Sequence, residues 1–204
     1  MIAHTIDSPG MRHALLGRAL VMMCALLVTA CTSVIVPPDE VQDPVNVLVL
    51  HHGRHSSLVL PSEAGGAVRY SYGDWQYYAL NRTGLGSGLR ALLWPTPAAL
   101  GQQLLAGPVD ADSIARQLRV QVLESFEVMV ERAAVRKLQL ELADIFDGAW
   151  ETVHYSGAYD VYFVHHPEPY TINYNSNRMV GRWLQQLGCT IIGHPVLSNW
   201  QVRR

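Results

Sequence analysis

Two short stretches carry residue types that could do chemistry. The first, "HHGRHSSLVLP" (residues 51–61), holds three histidines around a Gly-Arg pair and ahead of an apolar run. Histidine titrates near neutral pH, so His55, beside a turn and at the start of a strand-like run, suits acid–base work at the rim of a cleft. The second, "YNSNRMVGRWLQQLGC" (residues 174–189), sets Asn175, Ser176 and Asn177 directly before residues that repeat at helical spacing. Ser176 can cap the helix, its hydroxyl accepting a free backbone N–H. It can also serve as a nucleophile, with helix-terminal N–H groups holding an oxyanion, provided that a base is placed to activate the hydroxyl. The residues alone leave both uses open.

A metal site is the competing use of the histidines. His51 and His55 would share one face only on a helix, and their segment reads as β. No spacing among His154, His165, His166 and His194 matches a zinc motif. No metal and no cofactor are therefore expected.

The elements that must position these residues follow from apolar periodicity. Val45–His52 reads as a strand buried on both faces, Gly53-Arg54 breaks it, and His55–Pro61 returns as the second strand of a hairpin. Ala67–Trp75 is a third, ending near Gly73-Asp74. Residues 76–108, rich in Gly, Leu and Pro, predict two short helices broken at Pro95 and Pro97. Gly84, Gly86 and Gly88 lack the preceding strand that a phosphate-binding loop requires. A strand is expected around Leu118–Leu123. The longest helix is expected over Glu124–Phe146, with Phe126, Val130, Ala134, Leu138, Leu142 and Ile145 on one stripe. Val153–His166 is strand-like around Gly157. Asn177–Leu187 is an amphipathic helix that Gly188 ends, and Cys189 opens a buried strand. The order implies an α+β domain with a mostly antiparallel sheet packed against helices.

The N-terminus reads as a targeting segment. Arg12, His13 and Arg18 precede the apolar run Ala19–Leu27, which ends in "LVTAC". Small residues followed by Cys31 resemble the lipobox of bacterial lipoproteins, which implies lipidation at Cys31. Thr32 rather than Asp after the Cys implies the outer membrane. Residues 1–30 are then a signal peptide, 31–44 a Pro-rich tether, and 45–204 a single globular domain. The chain of 204 residues is 49% hydrophobic and 16% charged, with a net charge of −2. That balance suits one domain with a real core and argues against nucleic-acid binding. With Cys24 removed and Cys31 acylated, Cys189 stands alone and no intramolecular disulfide forms.

The segments "VNVLVLHHGRHSSLVLP", "YGDWQYYA" and "YNSNRMVGRWLQQLGC" together resemble an uncharacterised bacterial family from urease-region gene neighbourhoods. That family is similar to circularly permuted papain-like hydrolases, which are related to NlpC-type cell-wall peptidases and to lecithin–retinol acyltransferase. The resemblance implies a permuted papain-like fold over about residues 45–200, with the base on an early strand and the nucleophile opening a late helix. It implies His55 as general base, Asp74 as the residue that orients it (Tyr72 being the other candidate), and Ser176 in the nucleophile's place. Asn175, Asn177 and Tyr72 would then contact substrate. The family's pattern has Asn-Cys-Asn where this chain has Asn175-Ser176-Asn177. A Cys–His ion pair does not survive that exchange.

The resulting expectation is a lipid-anchored, periplasm-facing envelope protein whose papain-like cleft, degenerate or Ser-substituted, binds a peptide, glycan or lipid. Its partners would be the membrane, through the lipid, and peptidoglycan or other envelope proteins. Two alternatives stand beside it: an amide or ester hydrolase or acyl transferase using a Ser–His pair, and a structural envelope lipoprotein.

Overall fold

The structure, a computed structural model, describes residues 32–82 and 94–203. The signal segment, Cys31 and the Gly84-Gly86-Gly88 run lie outside these residues. In chain order the elements are β1 (Ser33–Val36), β2 (Pro44–His51), β3 (Ser56–Pro61), β4 (Ala67–Asp74), a π-helical turn (Trp75–Ala79) and β5 (Thr96–Leu105). Then come α1 (Ala111–Gln117), β6 (Glu124–Glu131), α2 (Arg132–Gly148), a 3-10 turn (Trp150–Thr152), β7 (His154–Ser156) and β8 (Val161–Tyr170). The chain closes with α3 (Ser176–Gln186), β9 (Thr190–Ile192) and β10 (Trp200–Val202).

β2 is apolar at nearly every position, and a strand of that kind must be covered on both sides. It lies in a seven-stranded antiparallel sheet of order β6-β2-β3-β4-β5-β8-β7. One face, with Val47, Leu58, Tyr70, Tyr72, Leu100 and Val164, packs against Leu138 and Leu142 of α2 and Met179, Trp183 and Leu184 of α3. On the other face, Leu48, Leu50, Val59 and Leu105 take Ile114 of α1. Further along that face Ala99, Val161 and Phe163 take Trp75 and Ala79 of the π-helical turn. Alternation along β4 sends Arg69, Ser71 and Gly73 to this same face, between the two patches. The molecule is thus α+β with mostly antiparallel strands.

Four expectations change. Thr96–Leu105 is a strand, not helix, although Ala, Leu and Gln favour helix. β4 and β8 flank it and supply both ladders, and Pro97 sits where the register slips between Thr96 and Ala98, so its missing N–H is tolerated. Gly101 is required there, because a Cβ would press on the Ser71 hydroxyl and the Phe163 ring. The expected helix over Glu124–Phe146 divides into β6 and α2. Phe126 and Val130 fit a period of two as well as one of four, and β2 pairs with β6 from Pro44 opposite Glu131 to His51 opposite Glu124. Residues 118–123 form no strand; α1 precedes them, Asp110 accepting the Ser113 N–H at its start.

The tether is the fourth. Ser33–Val36 is the central strand of a second sheet, β10-β1-β9, with Ser33 and Ile35 fully buried. Thr32–Arg204 forms one compact unit, so this Pro-flanked segment belongs to the domain. Cys189 is buried, but Thr190 and Ile192 of β9 are exposed, because β9 lies at the edge of that small sheet.

Candidate functional site

The β2–β3 turn is built to present histidines. The His52 N–H donates to the His55 carbonyl at 2.9 Å, and Gly53 supplies the left-handed φ of +91° that closes so tight a loop. His52 and His55 then stand 6.2 Å apart, ring to ring. Both line a cavity of about 410 Å³ on the sheet face that carries Arg69. Tyr77 and Tyr78 of the π-helical turn, Tyr159, Phe163, Val120 and Gln121 wall it, and exposed Arg54 stands at its mouth.

The polar groups of this cavity form a directed chain. The Gln121 carbonyl can only accept, so His52 carries its proton on Nδ1 and donates at 2.9 Å. Its Nε2 therefore accepts from the Ser57 hydroxyl, 2.9 Å away. Ser57 Oγ in turn accepts from Arg69 Nε at 3.1 Å, and Arg69 Nη1 donates to Gln103 Oε1 at 2.9 Å. Gln103 passes the chain to Asp160 Oδ2 at 3.3 Å, near the surface. Burial, and then the Arg69 charge, pushes the His52 pKa down to about 4. Burial holds His55 well below its ordinary value too, with His52 and Arg69 adding to the effect. The His55 ring packs at 4.6 Å on Tyr78, and its buried Nδ1 has no partner. Both imidazoles are thus neutral at pH 7, and Arg69 is the cavity's buried cation.

Arg69 is only 4% exposed, and no carboxylate among the described residues pairs with it. Two of its five N–H groups are used, and Nη2 and the second Nη1 hydrogen have no partner among the described residues. A buried guanidinium in that state is uncommon, since burial of a charge normally demands a counter-charge. Its pKa falls to about 10 through burial, and it remains charged.

Of the residues expected from sequence, His55 lies in this cavity and the others lie elsewhere. Asn175, not Ser176, caps α3: its side chain accepts the Arg178 N–H at 3.0 Å. Ser176 is the first helical residue, 3% exposed, and does not line the cavity that His55 lines. The amides of Asn175 and Asn177 both donate to the Val196 carbonyl at 3.0 Å, and Asn177 also reaches the Arg54 carbonyl at 3.2 Å. They clamp loops together. Asp74 caps the π-helical turn through the Tyr77 N–H at 2.8 Å and accepts from the Thr96 hydroxyl, so both carboxylate oxygens are committed away from His55. Fully buried Tyr72 donates to the Pro169 carbonyl at 3.0 Å. Burial pushes the Cys189 thiol up to about 11, which suits packing rather than chemistry. Among the described residues no three His, Cys, Asp or Glu side chains are grouped to hold a metal ion.

Comparison with family models, with curated proteins and with solved structures returns no match. The site therefore rests on its own geometry. Of its parts, sequence reasoning selected His55 and passed over Arg69, Ser57, His52 and Gln103. A signal for Arg69 was present. In "AVRYSYGDW" the apolar positions Val68, Tyr70 and Tyr72 alternate, which sends Arg69 to the face opposite them, and nothing in β4 says that this face is covered.

Proposed function

We propose that this chain is a lipid-anchored, periplasm-facing protein of the cell envelope that binds a small ligand and does not cleave it. One observation carries the reading: His55 lines a cavity with Arg69 and three tyrosines, while Ser176 is buried at the start of α3 and lines no part of that cavity. A nucleophile must be reached by both substrate and base, and burial of Ser176 outside the cavity that His55 lines speaks against that role. A degenerate permuted papain-like scaffold is supported by element order: a histidine at an early strand, then β4, then a late helix opened by Asn175-Ser176-Asn177. The ligand on this reading is a peptide, glycan or lipid fragment of the envelope. The anchor is read from the lipobox-like "LVTAC" and would hold the domain at the outer membrane.

The second reading, a Ser–His hydrolase or acyl transferase, has one observation in its favour. Asn177 ties the start of α3 to the carbonyl of Arg54, next to His55 in the chain. Fluorophosphonate labelling separates the two. Wild type and Ser176→Ala should label equally weakly, with similar thermal midpoints, because on this reading no base activates the Ser176 hydroxyl. Strong labelling that disappears in Ser176→Ala would establish the hydrolase instead.

The anchor has its own test. Metabolic labelling with a fatty acid should mark the wild-type chain, and Cys31→Ser should lose the label entirely and move from the membrane to the soluble fraction. Equal labelling of both chains would remove the lipoprotein reading.

A further inference from the structure

We infer that the cavity on the Arg69 face of the sheet is a carboxylate-binding site: the remaining Nη hydrogens of Arg69 take the anion, and Tyr77, Tyr78, Tyr159 and Phe163 enclose an aromatic or apolar body. The inference rests on the reading of this protein as a binder, and it names the class of ligand.

Three independent features converge on it. The first is charge. Arg69 is buried, carries a formal positive charge and has no acidic partner among the described residues; its link to Asp160 runs through the Gln103 amide. A ligand carboxylate would supply the missing counter-charge, in a two-point contact that the planar guanidinium favours. The second is preorganisation. The Arg69 side chain is held by Ser57 at Nε and by Gln103 at one Nη1 hydrogen, and Nη2 has no partner among the described residues. The fork is fixed in place before any ligand arrives, and little side-chain entropy is lost on binding. The third is shape. A cavity of about 410 Å³ walled by tyrosines, Phe163 and Val161 falls in the size range of small-molecule sites. His55 also lines the cavity and adds a polar imidazole to its wall.

The same features argue for a monoanion. Arg69 is the cavity's buried cation, and His52 and His55 are held neutral. A phosphate dianion would keep one charge uncompensated beside the buried Arg69, whereas a carboxylate is matched one for one. Arg54, exposed at the mouth, draws anions inward without entering the buried contact. In the envelope such a group could end a free aryl acid or the C-terminus of a short peptide. The chemistry Arg69 reads is the same in both.

The test is calorimetric titration of the full-length chain in detergent. The probes are phenylacetate, phenylacetamide, N-acetyl-phenylalanine, its amide, and inorganic phosphate. Each acid is expected to bind at least about tenfold more tightly than its amide, the difference that a charge-assisted contact supplies. Phosphate is expected to bind more weakly than the better acid. Tighter binding of phenylacetate points to a free aryl acid, and tighter binding of N-acetyl-phenylalanine to a peptide terminus. Arg69→Met should remove the acid-over-amide preference, and Arg69→Lys should restore it in part. If Arg69→Met does not fold, the wild-type acid–amide comparison decides alone. Equal affinity for acid and amide, preference for phosphate, absence of binding by every probe, or an unchanged preference in folded Arg69→Met overturns the inference. Ser176-dependent fluorophosphonate labelling alongside an intact acid preference would sink the non-catalytic reading and leave the carboxylate site standing.

Discussion

Lowering the pH from 6.5 to 4 is expected to cost the folded domain up to about 3 kcal/mol through His52 alone, with His55 adding to the loss. In the unfolded chain both imidazoles take up protons near pH 6.5. In the folded chain His52 does so only near pH 4, because burial and the Arg69 charge oppose a second cation, and His55 is held well below 6.5 by burial. The unfolded state therefore binds more protons throughout that window, so stability is greatest above it and falls as pH falls through it. Asp43 and Asp160 also lose favourable interactions in acid, to the Arg132 guanidinium and the Tyr155 hydroxyl respectively. They titrate at or below their ordinary range and are largely exposed, so their part is small and lies mostly outside the window. Urea unfolding at pH 7.5, 6, 5 and 4.5 should show a midpoint that drops at constant slope. In His52→Gln the drop should be shallower. A midpoint level across this range would mean that the turn does not exclude protons as described.

Trp200→Ala is the second large effect, a loss of about 3–5 kcal/mol in chemical unfolding. Trp200 is 2% exposed, and its indole N–H donates to the buried Ser56 hydroxyl at 2.9 Å. It stands in β10, parallel to β1, and belongs to the main core with α3. One side chain therefore joins the small sheet to the start of β3, and so to the turn that carries His55. Removing the ring leaves a cavity and also an unpartnered Ser56 hydroxyl in an apolar place. Trp200→Phe keeps most of the volume and loses only the hydrogen bond, so a smaller loss of about 1–2 kcal/mol is expected. Similar losses for the two variants would mean that the hydrogen bond, not packing, carries this junction.

The two effects meet at one place in the fold. The turn from His51 to Ser56 is held from below by Trp200 and by Ser198, whose hydroxyl donates to the Gly53 carbonyl. Asn177 holds the same turn at the Arg54 carbonyl. The C-terminal segment thus fixes the backbone of the loop whose histidines line the Arg69 cavity. Trp200→Ala should accordingly weaken acid binding in the cavity as well as lower stability, although Trp200 does not line it.

How much of this was legible in the sequence varied by element, for physical reasons. β2, β3 and β4 were read to within a residue or two, because each is a short apolar run bounded by turn-forming residues: Gly53 after β2, Pro61 at the end of β3, Asp74 at the end of β4. α3 was equally plain, since Met179, Val180, Trp183 and Leu184 keep a helical stripe and Gly188, at φ +90°, ends it. Even there the cap was misplaced by one residue. Three capping types stand in a row, and only the backbone tells which of them accepts the Arg178 N–H.

The rest was decided by partners distant in sequence. Thr96–Leu105 has helix-forming composition, and it is a strand because β4 and β8 offer hydrogen bonds on both sides. Phe126 and Val130 satisfied a helix and a strand alike until β2 took them. The site follows the same rule. Local sequence marked His55 as chemically able and Ser176 as well placed on its helix. Whether two side chains meet depends on which face of the sheet each one points to, and that is a property of the assembled layers. The same assembly set Arg69 on a covered face of the sheet, in a cavity walled by the π-helical turn, with no paired carboxylate among the described residues. Sequence determined that this chain folds as α+β around a histidine-bearing hairpin. Tertiary structure decided that the hairpin faces a buried arginine.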